Sequence, residues 1–239
     1  MKDQYVGDVN DYRKYGLLRI LNDGGRLKTS ICWMLTDDDC RHDGGKIDYL
    51  DDPDEWRHHD PELFDQLNEL VNIRRRREVR ALQELSLFRN CSYYPEILRD
   101  QGAPRNIYFD EFFKKYVDQA DLVFFDPDNG YQVGSVKRGR RGSSKYVYQE
   151  ELRAAFERGS SILLYQHYPR SGRKRFAKAL STKIGACLGS KHVRTFGTPF
   201  VLFLLFQQPR HEQAFQDLPD LVTRTWGKQI ETRSHTVGG

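Results

Sequence analysis

The sequence predicts an α/β fold, a three-layer Rossmann-like domain in which a mostly parallel sheet carries helices on both faces. Apolar runs at 122–125, 161–166 and 199–207 lack polar alternation, which is typical of strands covered on both faces. Segments with helical periodicity separate these runs, as the alternation of strands and helices in an α/β sheet requires. A chain of 239 residues can bury one core of this kind, so we expect a single α/β domain spanning 1–239.

Helical periodicity, apolar runs and turn residues predict the individual elements. In chain order they are helix 11–21, strand 29–35, a polar insertion around 36–60 with a short strand near 47–50, helices 61–73 and 78–87, a short strand or turn at 92–98, helix 106–117, strand 121–125, helix 149–158, strand 161–166, helix 173–185, an extended segment at 192–196 and strand 199–207. Asp60 is the predicted N-cap of helix 61–73, with Pro61 at its first position. Gly24 and Gly159 follow periodic segments and predict helix ends. From Arg210 onward we expect a short polar tail with one short helix.

The composition indicates a heavily charged surface, with 38% hydrophobic and 30% charged residues and a mean hydropathy of -0.74. The longest apolar run, at 200–206, is strand-sized and too short to span a bilayer, so we expect no membrane partner. The N-terminal segment lacks the apolar stretch of a signal peptide, which makes the cytoplasm the expected location. The cysteines lack a C-x-x-C pair and are predicted to be free thiols: Cys32, Cys40, Cys91 and Cys187.

Basic residues are concentrated in three clusters, although the net charge of the chain is only +4. The clusters lie at 74–77, 137–141 and 170–175. The last two follow predicted sheet strands and suit a polyanion bound through its phosphates, so we expect a nucleic-acid partner, RNA or DNA. Cluster 74–77 is equally well explained as the solvated face of a helix.

The most informative segment follows the strand at 122–125 and reads Asp126, Pro127, Asp128, Asn129, Gly130. Ligands of α/β sheets bind at the carboxyl ends of the strands, so this loop is the predicted catalytic segment. Pro127 restricts the turn, and Gly130 permits a positive φ or a close backbone approach. The alternative interpretation is a polar turn in which Asp128 and Asn129 cap the next element.

A second segment, residues 6–16, precedes the first strand and is predicted to meet the catalytic loop at one edge of the sheet. Asp8 and Asp11 are suited to capping the first helix. Lys14 lies among tyrosines and can point at a phosphate or carboxylate in the crevice, although an exposed amphipathic position explains it equally well.

A third segment follows strand 29–35 and is rich in acids and glycine. It contains carboxylates and an imidazole of the kind that bind divalent cations: Asp37, Asp38, Asp39, His42 and Asp43. The spacing matches no defined metal motif, and a solvated acidic loop is an equal alternative. Gly44 and Gly45 let the backbone approach a ligand closely.

His167 emerges at the carboxyl end of strand 161–166, where a general base or a ligand is useful. Arg170 and Arg173 follow and can clamp phosphate. A structural role for a lone histidine is the competing interpretation. Because basic residues follow His167, the two interpretations are equally well supported.

The order of these segments resembles the Rossmann-like adenine-N6 methyltransferases of large-subunit ribosomal RNA. In that family an N-terminal segment precedes a helix, and a strand ends in Asp-Pro-Pro-Tyr; here YVGDVNDYRKYGLL and FFDPDNGY occupy those places. SILLYQHYPR resembles the strand that follows, so the similar layout covers residues 5–206. The chain is also similar to uncharacterised bacterial proteins with the same DPDNG loop. The resemblance implies a class I methyltransferase-like fold and S-adenosylmethionine as the cofactor.

The resemblance also implies roles for individual residues. In the family, the Asp and the backbone of the first Pro receive hydrogen bonds from the target amine, and the aromatic stacks on the flipped base. Asp126 and Pro127 match, whereas Asp128 and Asn129 replace the second Pro and the aromatic, which leaves Tyr131 to supply the stacking surface. The family's glycine-rich turn after the first strand is replaced here by TDDDCRHDGG. The expected cofactor contacts are Asp8, Lys14, Asp37, Asp38, Gly44 and Gly45, and the expected phosphate contacts are Arg138, Arg140, Arg141, Lys145, Arg170 and Arg173.

Three functions are compatible with the sequence. The first is an S-adenosylmethionine-dependent methyltransferase acting on nucleic acid, with adenine N6 as a candidate acceptor, Asp126 orienting the amine and no metal. The second is a divalent-metal-dependent nuclease or phosphohydrolase, in which Asp126 and Asp128, with Asp38 or His167, bind Mg²⁺ or Mn²⁺ that activates water. The third is a catalytically degenerate methyltransferase fold that binds nucleic acid or regulates a partner.

Overall fold

The computed structural model describes residues 1–38, 44–85 and 87–236. Its strands are β1 (Thr29–Cys32), β2 (Cys91–Tyr94), β3 (Leu122–Phe125), β4 (Gly130–Tyr131), β5 (Tyr146–Val147), β6 (Ser161–His167), β7 (His192–Gly197), β8 (Val201–Phe206) and β9 (Glu231–Thr236). Its helices are α1 (Val9–Leu21), α2 (Pro53–Trp56), α3 (Pro61–Asn68), α4 (Val79–Glu84), α5 (Gly102–Phe112), α6 (Gln149–Glu157), α7 (Arg173–Leu188) and α8 (Leu218–Trp226). The central sheet has seven strands in the order β2-β1-β3-β6-β8-β7-β9, and β4 pairs with β5 separately.

The central sheet is parallel on one side and antiparallel on the other. Strands β2, β1, β3 and β6 are parallel neighbours, whereas β8 runs antiparallel to β6 and β7, and β9 runs antiparallel to β7. The chain leaves β1 for β2 on one side and returns to β3 on the other. This reversal creates a topological switch point between β1 and β3, and ligands of open α/β sheets bind at such points, outside the carboxyl ends of the strands.

Helices cover both faces of the sheet, as the sequence predicts. Leu122 and Phe124 of β3 pack in one core with residues of α1, α3, α4 and α8. Val123 and Phe125, which alternate with them, pack in a second core with residues of α5, α6 and α7. The absence of polar alternation in β3 therefore has a direct cause, since both of its faces are covered. No helix in the described ranges is long and apolar enough to cross a membrane.

The polar insertion differs from its prediction. The strand expected near 47–50 is instead a 3₁₀ turn at Asp48–Asp51. Tyr49 and Leu50 are both buried in the core beside α1, and consecutive residues of a strand point to opposite faces, so a turn satisfies this burial and a strand does not. The predicted start of α3 is confirmed, because the Asp60 side chain accepts a hydrogen bond from the Leu63 N–H.

The C-terminal segment is an integral part of the fold rather than a tail, and the short helix predicted in it is present as α8. Its helix α8 buries Leu218, Val222 and Trp226, which lie four residues apart on one face. Its strand β9 extends the sheet at the edge next to β7. The sequence of β9, ETRSHT, carries no apolar signal because an edge strand of this kind is exposed.

Strand β1 ends at Cys32, earlier than predicted, and beyond it the chain pairs again only through an isolated bridge between Leu35 and Ile97. Met34 has a φ of 48°, which is uncommon for a residue with a Cβ. The turn carries Thr36 to the N-terminal segment, where the Thr36 N–H donates to the Met1 carbonyl at 3.0 Å. The segment after β1 therefore lies against residues that precede α1.

A buried ion pair anchors the basic loop that connects β4 to β5. The Arg105 guanidinium on α5 donates to both carboxylate oxygens of Glu151, at 2.7 and 2.8 Å, and the two side chains are 0% and 2% exposed. The same guanidinium donates to the carbonyls of Ser143 and Tyr146. Glu151 in turn accepts from the Tyr148 N–H at the start of α6. These contacts fix the position of Lys145 relative to the sheet.

We expect the substitution Arg105→Met to lower the free energy of unfolding by about 3–5 kcal/mol, because it leaves the Glu151 carboxylate buried without its main partner. Urea denaturation followed by circular dichroism measures the change. Arg141→Met is the matched control, since Arg141 is exposed in the same loop and should shift stability by less than about 0.5 kcal/mol. Equal effects of the two substitutions would contradict the anchoring role.

Candidate active site

A cavity of about 790 Å³ opens at the carboxyl ends of β3 and β6. A volume of this size is typical of small-molecule and cofactor sites. The three segments predicted to meet at one edge of the sheet do so here, since the cavity combines residues of α1, the segment ending at Lys46 and the loop after β3. The predicted site residues that line it are Asp8, Lys14, Gly44, Gly45, Asp126, Pro127, Asp128, Asn129, Lys145, His167, Arg170 and Arg173.

The floor of the cavity contains a buried lysine between two carboxylates. The Lys14 Nζ lies 2.8 Å from Asp126 Oδ2 and 2.7 Å from Asp11 Oδ1. Lys14 is 1% exposed, and its ammonium also lies 5.1–5.8 Å from the ring centroids of Tyr15, Trp33 and Tyr165. Each charge in this triad is tolerated inside the protein because an opposite charge contacts it.

Burial and charge shift the titration of this triad in definite directions. Burial raises the pKa of Asp11 from 3.8 to about 6, against the opposing charge of Lys14. Burial alone lowers the pKa of Lys14, but the charges of Asp11 and Asp126 outweigh it and raise that pKa above its ordinary value. Lys14 therefore remains an ammonium at neutral pH and holds Asp126 by charge as well as by a hydrogen bond.

Asp128 is held by the N-terminal segment and by the turn after β1. The Met1 ammonium lies 2.8 Å from Asp128 Oδ1 and donates to the Asp126 carbonyl at 3.0 Å, while the Thr36 hydroxyl donates to Asp128 Oδ2 at 2.9 Å. Burial disfavours the charged carboxylate, but the nearby ammonium outweighs it and keeps the pKa of Asp128 below its ordinary value. Asp128 is therefore ionised at neutral pH.

Gln166 on β6 holds the loop that follows β3. Its Oε1 accepts from the Tyr131 N–H at 2.8 Å, and its Nε2 donates to the carbonyls of Asn129 and His167. Gly130 has a φ of 122°, and a Cβ at that position would lie 2.3 Å from Gln166 Oε1. Position 130 therefore requires glycine, because any side chain there would clash with the Gln166 amide. Sequence reasoning missed Gln166, although a polar residue within an apolar strand was an available signal.

His167 stands on the cavity wall at the end of β6. Its Nε2 lies 3.2 Å from the Tyr165 hydroxyl, and its backbone N–H donates to the Asn129 carbonyl. Burial by the surrounding protein lowers the pKa of His167 below its ordinary value, against the charges of Asp128 and Asp126. The imidazole is neutral at pH 7 and can accept a proton.

Several predicted site residues lie away from this cavity. Tyr131 is 3% exposed in the core formed with α5, α6 and α7, so it offers no surface to a substrate base. Arg138 pairs with Glu150 and Glu151 and forms part of the loop anchor. Arg140 and Arg141 are exposed in the same loop and do not line the cavity.

Two predicted cofactor contacts are also engaged elsewhere. Asp37 forms an ion pair with Arg99 on the surface, and Asp38 accepts a hydrogen bond from the Gln4 N–H at 3.4 Å. Neither residue lines the cavity. The corresponding metal candidates Asp39, His42 and Asp43 fall outside the described residues.

Asp8 and Gly44 line the cavity but also have local structural roles. Asp8 Oδ1 accepts from the Asn10 N–H at 2.8 Å as the N-cap of α1, and Asp8 Oδ2 accepts from the Lys46 N–H at 3.2 Å. Gly44 has a φ of 84°, and a Cβ there would lie 2.5 Å from the Tyr5 ring. Packing against the N-terminal segment therefore explains this glycine without a ligand.

Sequence reasoning did not identify several residues that complete the cavity. They are Met1, Lys2, Tyr5, Asn10, Lys46, Tyr165, Tyr168 and Phe200. Several of them belong to the segments that carry the resemblance, but only the tertiary fold shows which of their residues reach the cavity. Of the two lysines, Lys46 is exposed, whereas Lys2 is buried with the carboxylates of the floor.

Comparison with known proteins gives a distant structural likeness. No protein-family model and no curated protein matches the sequence. The chain is similar to a solved structure, the crystal structure of protein LPL1258 from Legionella pneumophila str. Philadelphia 1, assigned to the family model DUF519. The TM-score is 0.45 with 13% sequence identity, over 97% of this chain and 98% of that chain.

The raised pKa of Asp11 predicts a pH-dependent cost to stability. An acid whose pKa rises on folding costs no stability below its unfolded pKa, near 3.8, and the full amount above its folded pKa, about 6. Between pH 4.5 and pH 7, we expect the wild type to lose about 2 kcal/mol of unfolding free energy relative to Asp11→Asn.

Urea denaturation at the two pH values measures this difference. Asp118→Asn is the control, because Asp118 is a surface carboxylate paired with Arg158 and its removal should change stability similarly at both pH values. If the unfolding free energies of the wild type and Asp11→Asn changed equally between pH 4.5 and pH 7, the result would contradict the raised pKa of Asp11.

Proposed function

We propose that this protein is an S-adenosylmethionine-dependent methyltransferase that acts on an exocyclic amine of a nucleic acid. The observation that carries the proposal is the position of Asp126 and Pro127. They follow β3 and line a cavity at the carboxyl ends of β3 and β6, in which Asp126 is buried and the basic residues Lys46, Arg170 and Arg173 are exposed. The layout shared with the adenine-N6 methyltransferases supports the same assignment, including a class I methyltransferase-like fold.

The size of the cavity fits the cofactor. Its floor pairs the carboxylates of Asp11, Asp126 and Asp128 with the ammonium groups of Lys14 and Met1, and the buried Lys2 also lines it. The cavity has the volume of a cofactor site. Of the predicted cofactor contacts at this cavity, the Gly45 backbone remains available, since Lys14 is buried and bonded to Asp11 and Asp126. When bound, S-adenosylmethionine supplies an electrophilic methyl group.

Asp126 is prepared to orient an acceptor amine. Lys14 bonds to Asp126 Oδ2, which leaves Oδ1 as an acceptor for an incoming N–H, and Pro127 lines the cavity next to it. The carboxylate is buried and paired, so its position is set before substrate arrives, and such preorganisation is a main source of catalytic power. His167, neutral at pH 7, lies on the same cavity and can receive the proton that the amine loses.

Basic residues of the cavity suit the phosphates of the substrate. Lys145, Arg170 and Arg173 line it, and the Lys145 carbonyl accepts from the Asn129 N–H at 2.9 Å. The phosphate-binding loop and the catalytic loop are thus connected through the backbone. Contacts of this kind position a nucleic acid without reading its sequence.

The ion pairs of the floor favour methyl transfer over metal-dependent hydrolysis. Lys14 neutralises Asp126 and the Met1 ammonium neutralises Asp128, so a divalent cation would have to displace both ammonium groups. Within residues 1–38, 44–85 and 87–236, no group of three or more His, Cys, Asp or Glu side chains is arranged to hold a metal ion.

Removal of the Asp126 carboxylate tests the proposal. We expect Asp126→Ala to lower methyl transfer from tritiated S-adenosylmethionine to total cellular RNA and DNA by about 100-fold or more, because the amine loses its preorganised acceptor. Calorimetric titration with S-adenosylmethionine in the presence of chelator should show saturable binding by the wild type. Asp118→Ala is the matched control and should retain full activity.

Two outcomes would overturn the assignment. Retention of activity in Asp126→Ala would remove Asp126 from the mechanism. Absence of cofactor binding by the wild type would exclude methyl transfer, and nucleic-acid binding that persisted without it would favour the degenerate binding module.

A further inference from the structure

Phe200 is an exposed aromatic residue at the cavity. It lies in the connection between β7 and β8, lines the cavity and is 46% exposed. A single exposed apolar side chain is ordinary on a protein surface. Phe200 is unusual because it lies beside a carboxylate-lined floor and carries a lysine on its ring.

The backbone of Phe200 is fixed on both sides. Its N–H donates to Thr198 Oγ1 at 3.3 Å, and its carbonyl accepts from the Tyr168 N–H at 3.3 Å. The Thr198 N–H donates to the Val201 carbonyl at 2.8 Å and closes the turn. The ring is therefore presented from a rigid support, which limits the conformational entropy lost when a ligand stacks on it.

Lys46 lies directly over the Phe200 ring, with Nζ 3.8 Å from the ring centroid. Its backbone is also fixed, since its N–H donates to Asp8 and its carbonyl accepts from the Val9 N–H at 3.0 Å. An aromatic ring and an ammonium at one cavity mouth match the two parts of a nucleotide, the base and the phosphate.

The other aromatic residues of the cavity, Tyr5, Tyr165 and Tyr168, pack against the cores and are less exposed than Phe200. Tyr165 lies over the Lys14 ammonium and packs edge-on against Phe203. Tyr168 packs against Phe176, and the Arg173 guanidinium lies over the Tyr168 ring, 5.6 Å from the ring centroid.

We propose that Phe200 is the surface on which the target nucleobase stacks and that Lys46 binds the adjacent phosphate. The inference rests on the proposed methyl transfer and deepens it: the substrate is an unpaired or flipped nucleotide, because a stacked, paired base does not reach the floor. Phe200 thus provides the stacking surface that an aromatic residue in place of Asn129 would provide. Phe200 is a positioning residue, since Asp126 orients the reacting amine.

Binding of two RNA decamers of equal charge tests this role. The first is fluorescein-labelled oligo(A), and the second is an abasic decamer with the same sugar-phosphate backbone. Fluorescence anisotropy should show that the wild type binds oligo(A) about tenfold more tightly, since base stacking on an aromatic is sequence-tolerant and favourable.

Three variants separate stacking from charge. Phe200→Leu should reduce the preference for oligo(A) to near unity, whereas Phe200→Trp should retain it. Lys46→Met should weaken both decamers by a similar factor, because it removes a phosphate contact. Ile107→Ala is the control, since Ile107 is 62% exposed on α5, outside the cavity.

The outcomes distinguish this inference from the proposed function. An equal preference for oligo(A) in the wild type and Phe200→Leu would overturn the stacking role. A wild type that binds both decamers with the same affinity would also overturn it, even if methyl transfer occurs. A Phe200-dependent preference in a protein that transfers no methyl group would uphold the nucleobase site and overturn the methyltransferase assignment.

Discussion

The burial of the Lys14 ammonium constrains the architecture around the candidate site. A charge that is 1% exposed requires opposite charges in contact, and Asp11 and Asp126 supply them from α1 and from the end of β3. The N-terminus of α1 must therefore lie over the carboxyl end of β3. The same requirement brings the preceding residues, including Met1 and Asp8, to the cavity at the carboxyl ends of β3 and β6.

The cavity separates two electrostatic roles. Its floor holds buried carboxylates and ammonium groups in contact, whereas Lys46 and Arg170 are exposed and Lys145 is half-buried among its other lining residues. Interactions at the buried floor are strong because water is excluded, and the more exposed basic residues are screened by salt. An arrangement of this kind suits a substrate held by its phosphates and a reacting group directed to buried carboxylates.

The sequence predicted much of the fold because burial on both faces leaves a local pattern. The apolar runs of β3, β6 and β8, and the cap at Asp60, were visible in the sequence and are confirmed. Strand β9 was not predicted, because an exposed edge strand carries polar residues and is defined by backbone pairing with β7. The turn at Asp48–Asp51 was mistaken for a strand because its burial depends on packing against α1.

For the candidate site, the sequence by itself singled out the loop after β3, because a buried strand followed by Asp126 and Pro127 is a contiguous signal. Only the tertiary structure decided that Tyr131 lies in the core and that Arg138 anchors a loop. It also placed Gln166 against the loop after β3 and Phe200 at the cavity. The physical reason is that these roles depend on contacts between residues far apart in the chain, which leave no periodicity or spacing in the local sequence.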